Sequence, residues 1–264
     1  MHAPCGVVTL LTDFGLTDPF VGVMKGVLCA AHPHLRVIDV THGVAPGAIA
    51  EGAFWLERRF RYFPAGSVHC AVVDPGVGSR RPAVVLAAEH HYFVGPDNGL
   101  LAEVTLRAAH TEVRRIDVEQ HGLSGASHTF HGRDIFAVMA GRLAARAVSF
   151  EQVGPLTTLG VPSPIPGMVS EADGFVGTVL TVDHFGNLIT TLRASEVLPV
   201  VDAPFRLLIA GQTLRSVRTF SEAEAQELVA LVGSFDSIEV VVNGGSAVER
   251  LRPVPGASVK LLPS

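Results

Sequence analysis

Two short glycine-rich segments contain side chains that could carry out chemistry. The first covers residues 73–81 (Val-Asp-Pro-Gly-Val-Gly-Ser-Arg-Arg), and the second covers residues 129–134 (Thr-Phe-His-Gly-Arg-Asp). An acid, a guanidinium and an imidazole on such turns can hold one water molecule and polarise it against an electrophile. We therefore interpret the chain as an enzyme that uses water as a reactant.

Three residues are ambiguous when each is taken alone. His131 stands in a glycine-flanked turn before a predicted helix, and an imidazole with a pKa near its reference value of ~6.5 can donate or accept a proton at neutral pH. It could equally be a turn histidine with satisfied hydrogen bonds. Asp13 and Asp74 stand just after predicted strands, where α/β sheets bind ligands, and a carboxylate there could accept hydrogen bonds from a ribose. Either aspartate could instead cap a turn.

The composition argues against several classes of protein. The chain has 264 residues, of which 48% are hydrophobic, so we expect a sizeable buried core rather than disorder. The net charge is −5 and the arginines are scattered, which argues against a nucleic-acid partner. No apolar run approaches the roughly 18 to 20 residues of a spanning helix, and we find no signal peptide. We expect a cytoplasmic protein without a membrane partner.

Cysteine and histidine usage gives little sign of a metal site. The three cysteines form no CxxC pair, and none of the twelve histidines lies in HExxH. Residues 76–81 do not form a dinucleotide loop either, because the third glycine of GxGxxG would fall at Arg81. We expect no metal and no cofactor, and an adenosine-containing ligand would have to be held by its sugar and base.

Residues 1–152 alternate between strand-like and helical stretches. The predicted strands are Val7–Leu11, Arg36–Val40, Val68–Val73, Ala83–Ala88 and Tyr92–Val94, and the predicted helices are Phe20–Ala31, Glu51–Phe60 and Ile135–Ala147. Such alternation is typical of an α/β domain with a mostly parallel, twisted sheet that is covered on both faces.

A proline-rich stretch, residues 153–170, follows this domain, and we interpret it as a linker. Residues 171–264 contain short strand-like runs punctuated by glycine, which favour a smaller all-β barrel or sandwich. The predicted strands there are Gly174–Val182, Asn187–Thr191, Phe205–Ile209, Ser237–Val242 and Ser258–Leu262. In this part of the chain only Glu222–Val232 has a helical pattern.

Two polar motifs in the second domain could bind a nucleoside. Residues 183–187 (Asp-His-Phe-Gly-Asn) offer an acid for an ammonium group, an aromatic face for a purine and an amide for its edge. Residues 243–246 (Asn-Gly-Gly-Ser) are more ambiguous, because Asn-Gly is also the commonest signal of a hairpin turn.

Six motifs, in order and at compatible spacing, point to a known family. They are residues 11–15 (Leu-Thr-Asp-Phe-Gly), 73–78, 95–101 (Gly-Pro-Asp-Asn-Gly-Leu-Leu), 129–134, 183–187 and 242–246. Over nearly its whole length the chain resembles the S-adenosylmethionine hydroxide adenosyltransferases, the hydrolase relatives of the fluorinase and chlorinase. The resemblance implies an N-terminal α/β domain, a C-terminal β-barrel and a homotrimer. It also implies active sites between one subunit's N-terminal domain and a neighbour's C-terminal domain.

The resemblance further implies a reaction and a role for each site residue. Water or hydroxide would attack S-adenosylmethionine at its 5′ carbon and release L-methionine and adenosine. Asp74, Arg81 and His131 match the catalytic triad of the hydrolases. The implied substrate-binding residues are Asp13 for the ribose, Phe185, Asn187 and the backbone near Asn243 for adenine, Asp183 for the methionine ammonium, Ser234 for its carboxylate, and Gly132 at the position that faces the halide in the halogenases.

The nucleophile separates the hydrolases from the halogenases. The halogenases have tyrosine where this chain has Asp74 and His131, and they lack Arg81, while the fluorinase also has a serine at the position of Gly132 and an extra loop near residues 89–90. A carboxylate at Asp74 would repel a halide but can accept the proton of a water. The resemblance therefore favours water, although Gly132 alone excludes only the fluorinase. A chloride-using halogenase, a sensor that binds without turnover and a metal-dependent hydrolase remain alternatives.

Overall fold

The computed structural model describes residues 2–201, 204–253 and 256–263. The chain divides into two compact units, Met1–Pro164 and Ile165–Ser264. The finer division drawn from the sequence, with domains at 1–152 and 171–264 and a linker at 153–170, stays a prediction. No helix within the described residues is long and apolar enough to cross a membrane.

The first unit is built on a seven-stranded sheet. Its strands are β1 (Val7–Thr12), β2 (Arg36–Thr41), β3 (Val68–Val72), β4 (Ala83–Ala88), β5 (His91–Pro96), β6 (Thr111–Arg115) and β7 (Leu156–Thr157). The order across the sheet is β2-β1-β3-β5-β4-β6-β7. All residues of β1, β3, β4 and β5 are buried, so the middle of the sheet lies in the core.

The sheet is mixed, so the prediction of a mostly parallel sheet was wrong. The pairs β2-β1, β1-β3 and β3-β5 are parallel, whereas β5-β4, β4-β6 and β6-β7 are antiparallel. The reversal begins at Glu89 and His90, whose φ angles of 47° and 67° form a two-residue connection between β4 and β5. A connection of this length can join only antiparallel neighbours. Glu-His is not one of the dipeptides that signal such a turn, so the sequence did not reveal it.

Helices cover the sheet of the first unit. They are α1 (Phe20–Ala31), α2 (Ile49–Arg59), α3 (Ala102–Arg107) and α4 (Val138–Ala144), with short 3-10 turns at Phe60–Tyr62 and Phe150–Gln152. A π-helical turn, Gly132–Ala137, leads directly into α4. The prediction of α1 is confirmed residue for residue, and its buried Met24 and Leu28 pack in the same hydrophobic core as Phe136 and Met139 of the π turn and α4.

The second unit is an antiparallel, barrel-like sheet, as predicted. Its strands are β8 (Val169–Glu171), β9 (Gly174–Val182), β10 (Leu188–Arg193), β11 (Phe205–Ile209), β12 (Gln212–Arg215), β13 (Leu228–Val232), β14 (Ser237–Val242) and β15 (Ser258–Pro263). The order is β12-β11-β15-β9-β10-β14-β13, and β8 pairs with β9. A bridge between Ser216 and Ala230 brings the two end strands together, so the sheet is nearly closed.

Short helices complete this unit: α5 (Ala194–Val201), α6 (Ala247–Leu251) and a 3-10 turn at Phe220–Glu222. The predicted helix at Glu222–Val232 was wrong, because Leu228–Val232 is strand β13 and pairs with β14 along its full length. Five consecutive apolar residues suit a buried strand as well as a buried helix, and periodicity alone does not separate them.

Candidate functional site

Asp74 and Arg81 form a buried, two-pronged ion pair. Asp74 lies two residues after the end of β3, and Arg81 comes at the other end of the glycine-rich loop that begins there. Arg81 Nε donates to Asp74 Oδ1 at 2.8 Å, and Arg81 Nη2 donates to Asp74 Oδ2. The two side chains are only 9% and 4% exposed. This bidentate arrangement is the strongest form of charge-assisted hydrogen bond and fixes the guanidinium plane.

His131 completes the cluster from another part of the chain. Its Nδ1 lies 3.0 Å from Arg81 Nη2. Because a guanidinium has no acceptor, Nδ1 must be the acceptor of this bond, and the hydrogen of the neutral ring is assigned to Nε2. Burial and the positive charge of Arg81 hold the pKa of His131 below its ordinary value. At neutral pH the ring is therefore uncharged and offers Nε2–H to a ligand.

The loop after β3 and the segment before His131 meet at Gly78, where the backbone leaves no space for a side chain. Gly78 has φ +79°, and a Cβ atom there would lie 2.3 Å from the carbonyl oxygen of His128. The loop after β3 thus touches the segment that leads to His131. Phe136, in the π-helical turn, presents its ring 5.2 Å from the guanidinium carbon of Arg81. A cation against an aromatic face is favourable and further restrains the arginine.

Gly132 is buried beside His131 in a tightly packed aromatic surrounding. A Cβ atom at this position would lie 3.2 Å from the ring of Phe130 and 3.4 Å from the Met24 sulfur and the Phe14 ring. Phe14, Phe20 and Phe130 make edge-to-face contacts with centroid distances of 5.2 to 6.0 Å. A larger residue at Gly132 would have to displace these rings.

Asp13 lies at the same edge of the sheet as Asp74. It directly follows β1, which is parallel to β3 with Thr12 opposite Val72, so the two carboxylates leave neighbouring strand ends. The Asp13 Oδ2 atom accepts a hydrogen bond of 2.8 Å from the Gly47 amide. The third strand end, after β5, carries Asn98, whose Nδ2 donates to the Val73 carbonyl at 2.9 Å. The expected meeting of chemical groups at these strand ends is therefore present in the first unit.

In the second unit, Asp183 organises the turn in which it stands. Its Oδ1 accepts from the amides of Phe185 and Asn187, both at 2.9 Å, and its Oδ2 accepts from Asn187 Nδ2 at 2.8 Å. These three hydrogen bonds hold Asn187 in a buried position and leave Phe185 74% exposed. Sequence reasoning assigned Asp183 to a ligand and missed this structural role.

A depression of about 400 Å³ opens beside this turn. Its lining residues are Phe185, Asn187, Phe220, Val242, Gly244 and Gly245. Phe220 was missed from the sequence, since it belongs to no recognised motif and stands just before the incorrectly predicted helix. Asn243 Nδ2 donates to the Ala223 carbonyl at 2.8 Å and so ties the Phe220 segment to the end of β14. The Asn243-Gly244 step leads into α6 and is not a hairpin turn.

Ser234 lies elsewhere in the second unit. It stands exposed in the turn between β13 and β14, whereas Asn243 follows the other end of β14. A six-residue strand separates the two ends by roughly 20 Å. The structure therefore does not bring Ser234 to the depression near Phe185, and its assignment to a methionine carboxylate stays a prediction.

Metal chemistry has no obvious location in the described ranges, 2–201, 204–253 and 256–263. Within them, no group of three or more His, Cys, Asp or Glu side chains is placed to hold a metal ion.

Comparison with known proteins identifies the family. Residues 8–154 match the N-terminal domain of the SAM hydroxide adenosyltransferases, and residues 177–260 match the C-terminal domain. A Salinispora tropica protein named (R)-S-adenosyl-L-methionine hydrolase is 43% identical, with 98% of each chain covered. A Thermus thermophilus protein of the same name is 39% identical over 97% of this chain and 99% of its own. A crystal structure of an uncharacterized conserved protein from Thermotoga maritima is similar at TM-score 0.88 and 31% identity, covering 97% of this chain and 99% of the other. The two matched domains together cover most of the sequence, so the chain belongs to the SAM hydroxide adenosyltransferase family.

Proposed function

We propose that the protein hydrolyses S-adenosylmethionine to adenosine and L-methionine by attack of water or hydroxide on the 5′ carbon. The observation that carries this proposal is the buried cluster of Asp74, Arg81 and His131. Relatives that are 43% and 39% identical over nearly the full chain and are named (R)-S-adenosyl-L-methionine hydrolase support it.

The cluster offers both donors and an acceptor to one water molecule. Neutral His131 presents Nε2–H, and Arg81 presents a positive charge that favours hydroxide character on the water oxygen. Of the three side chains, Arg81 has no lone pair and His131 uses Nδ1 to accept from Arg81. The carboxylate of Asp74 retains lone pairs beyond those that bind Arg81, so we assign it as the group that takes the proton.

The leaving group explains why positioning can supply most of the acceleration. As the new C–O bond forms at the 5′ carbon, the C–S bond breaks and its electron pair stays on sulfur. The sulfonium thereby loses its positive charge and departs as the neutral thioether of methionine. No Lewis acid or redox group is required for this step, and the protein has mainly to hold the water in line with the C–S bond.

The ion pair also favours water over a halide. Two nitrogens of the Arg81 guanidinium donate to the Asp74 carboxylate, which therefore lies at the same place as the cation. A chloride ion near this site would face that carboxylate and has no proton to give it, whereas a water molecule can donate a proton to Asp74 as it attacks.

Apart from Ser234, the remaining site residues have the roles implied by the family. We assign Asp13 to the ribose and Asp183 to the methionine ammonium. The ammonium and carboxylate of methionine are bonded to one carbon, whereas Ser234 lies at the opposite end of β14 from Asp183, so within one subunit Ser234 cannot hold the carboxylate of the same methionine. Phe185, Asn187 and the backbone at Asn243 would contact adenine, which suits the depression beside the Asp183 turn. Gly132, whose backbone packs against Phe130 and Phe14, would lie beside the nucleophile next to His131.

We further propose a homotrimer whose active sites form between subunits. Light scattering of the purified protein should then give about three times the mass of the 27.8-kDa chain. A stable monomer with full activity would contradict this arrangement. The cytoplasmic location stays a prediction from the sequence.

The reaction itself is tested by chromatography of S-adenosylmethionine after incubation with the purified protein. We expect adenosine and methionine in a 1:1 ratio, unchanged by added chloride or by a chelator. A chlorinated nucleoside would indicate a halogenase, loss of activity with chelator would indicate a metalloenzyme, and intact substrate would favour a binding protein.

Substitutions in the cluster should lower turnover without loss of the fold. Asp74→Asn removes the proton acceptor at constant size, and Arg81→Lys removes the two-pronged contact. We expect each to reduce kcat by roughly 10²-fold or more, as is typical for general acid-base and electrostatic contributions. Arg80→Ala is the matched control, because Arg80 is the exposed neighbour of Arg81 and should retain near-normal turnover. Near-normal kcat in both cluster variants would refute the assignment.

The decrease of kcat/KM at acid pH should follow the protonation of His131. The neutral ring is the form that accepts from Arg81, and its lowered pKa keeps it neutral until the pH falls below its ordinary value of 6.5. We therefore expect kcat/KM to be maintained down to about pH 6.5 and to fall only below it. His131→Asn should lower kcat/KM and remove this decrease, whereas His34→Asn, at an exposed position, should keep it. An acid limb centred above pH 6.5 would contradict the assignment.

A further inference from the structure

The turn that carries Asp13 is held at three points by one neighbouring loop, residues 42–47. His42 Nδ1 lies 2.8 Å from Thr12 Oγ1, the Gly15 amide donates to the His42 carbonyl at 2.8 Å, and the Gly47 amide donates to Asp13 Oδ2 at 2.8 Å. Thr12 Oγ1 also accepts from the Phe14 amide at 3.2 Å. The position of the Asp13 carboxylate is therefore set by this loop as well as by β1.

His42 is the centre of a chain of polar contacts that continues away from Asp13. Asp39 Oδ1 lies 3.0 Å from His42 Nε2, a close ion-pair distance, although the N–H direction is poorly aligned. Lys25, on α1, donates to Asp39 Oδ2 at 2.6 Å. With the hydrogen of a neutral ring on Nε2, the nitrogen nearest the carboxylate, Nδ1 is free to accept from the Thr12 hydroxyl. Asp39 thus lies against one side of His42, and the other side of the ring holds Thr12.

An acid, an imidazole and a hydroxyl in line could suggest a second nucleophilic site. Burial argues against it, since Thr12 is 0% and His42 is 5% exposed, and Thr12 Oγ1 already takes part in two contacts. A hydroxyl with no access to solvent cannot meet a substrate. The chain of contacts acts within the protein.

The same loop also reaches the catalytic cluster. Gly47 has φ +72°, and a Cβ atom there would lie 3.8 Å from the Cβ of Pro75, the residue after Asp74. The loop therefore binds the Asp13 carboxylate through the Gly47 amide and passes close to the residue after Asp74. A ligand that is bound through its ribose and attacked at the adjoining 5′ carbon requires both carboxylates to be well placed.

We propose that His42 is a positioning residue that holds Asp13 in place for recognition of the ribose diol. The proposal rests on the proposed function, in which Asp13 binds the ribose of the substrate and of adenosine. His42 acts through Thr12 and has no contact with the ligand. Its loss should therefore weaken the discrimination that depends on the diol rather than affinity for the nucleoside in general.

The test compares the binding of adenosine and 2′,3′-dideoxyadenosine by titration calorimetry. The dissociation constant of 2′,3′-dideoxyadenosine divided by that of adenosine measures the contribution of the diol in each variant. We expect a clear preference for adenosine in the unmodified protein and its loss in Asp13→Ala. In His42→Ala and in Thr12→Val the ratio should fall about tenfold, as for the loss of a charge-assisted hydrogen bond. Thr12→Ser keeps the hydroxyl and should preserve the ratio.

Each outcome decides the proposal. An unchanged ratio in folded His42→Ala or in Thr12→Val overturns it, and so does a ratio in Thr12→Ser as low as in Thr12→Val. If His42→Ala does not fold, the Thr12 pair decides, since valine and serine differ from threonine by small changes. An unmodified protein that hydrolyses S-adenosylmethionine but binds both nucleosides equally would overturn the positioning role and leave the reaction intact. Absence of hydrolysis would refute the proposed function separately.

Discussion

Asp74 and Arg81 place opposite charges where water has little access, with side chains that are 4% and 9% exposed. Desolvation of two such charges costs several kcal/mol each, and their attraction offsets this only when the geometry is good and the remaining hydrogen bonds are made. Here the geometry is bidentate, and His131 accepts a further N–H of Arg81. A buried ion pair is weak evidence for stability, so its presence where two segments converge is better explained by chemistry than by folding. The glycine at position 78 and the ring of Phe136 follow from the need to seat this pair.

The mixed sheet assigns different tasks to its two halves. The parallel strands β1, β3 and β5 end at one edge and deliver Asp13, Asp74 and Asn98 there. Parallel strands in register necessarily place the residues that follow them side by side, which is why α/β proteins bind ligands at such edges. The antiparallel strands β4, β6 and β7 extend the sheet on one side of this group. The wrong prediction concerned the antiparallel half of the sheet. The predicted site residues of this unit follow β1 and β3, which are parallel as predicted, so the error did not change their expected positions.

The limits of sequence reasoning differ between residues. The polar residues at strand ends could be predicted because each stands directly after a β-branched, apolar run, and the ordered motifs identified the family. His42 could not be found in this way, since its importance comes from a contact across 30 positions with Thr12 and from burial, which no local pattern shows. The Glu89-His90 turn and strand β13 were missed because their local residues are compatible with more than one conformation. Phe220 belonged to no motif, and it lies beside Phe185 only because the barrel folds back on itself.

Several residues of the family motifs form side-chain hydrogen bonds to the backbone, in addition to the ligand contacts proposed for them. Asp183 accepts three hydrogen bonds from its own turn, the Asn243 side chain holds a neighbouring segment, and Asp13 is bound by the Gly47 amide. A carboxylate has about four lone-pair sites, so these bonds leave capacity for a ligand while they fix the direction of the group. Replacement of such a residue by alanine removes a ligand contact and a turn at once, and its effect on activity cannot be divided between the two. Only a comparison of ligands that differ in the group recognised, such as a nucleoside with and without its diol, separates positioning from binding, because the altered turn is common to both measurements.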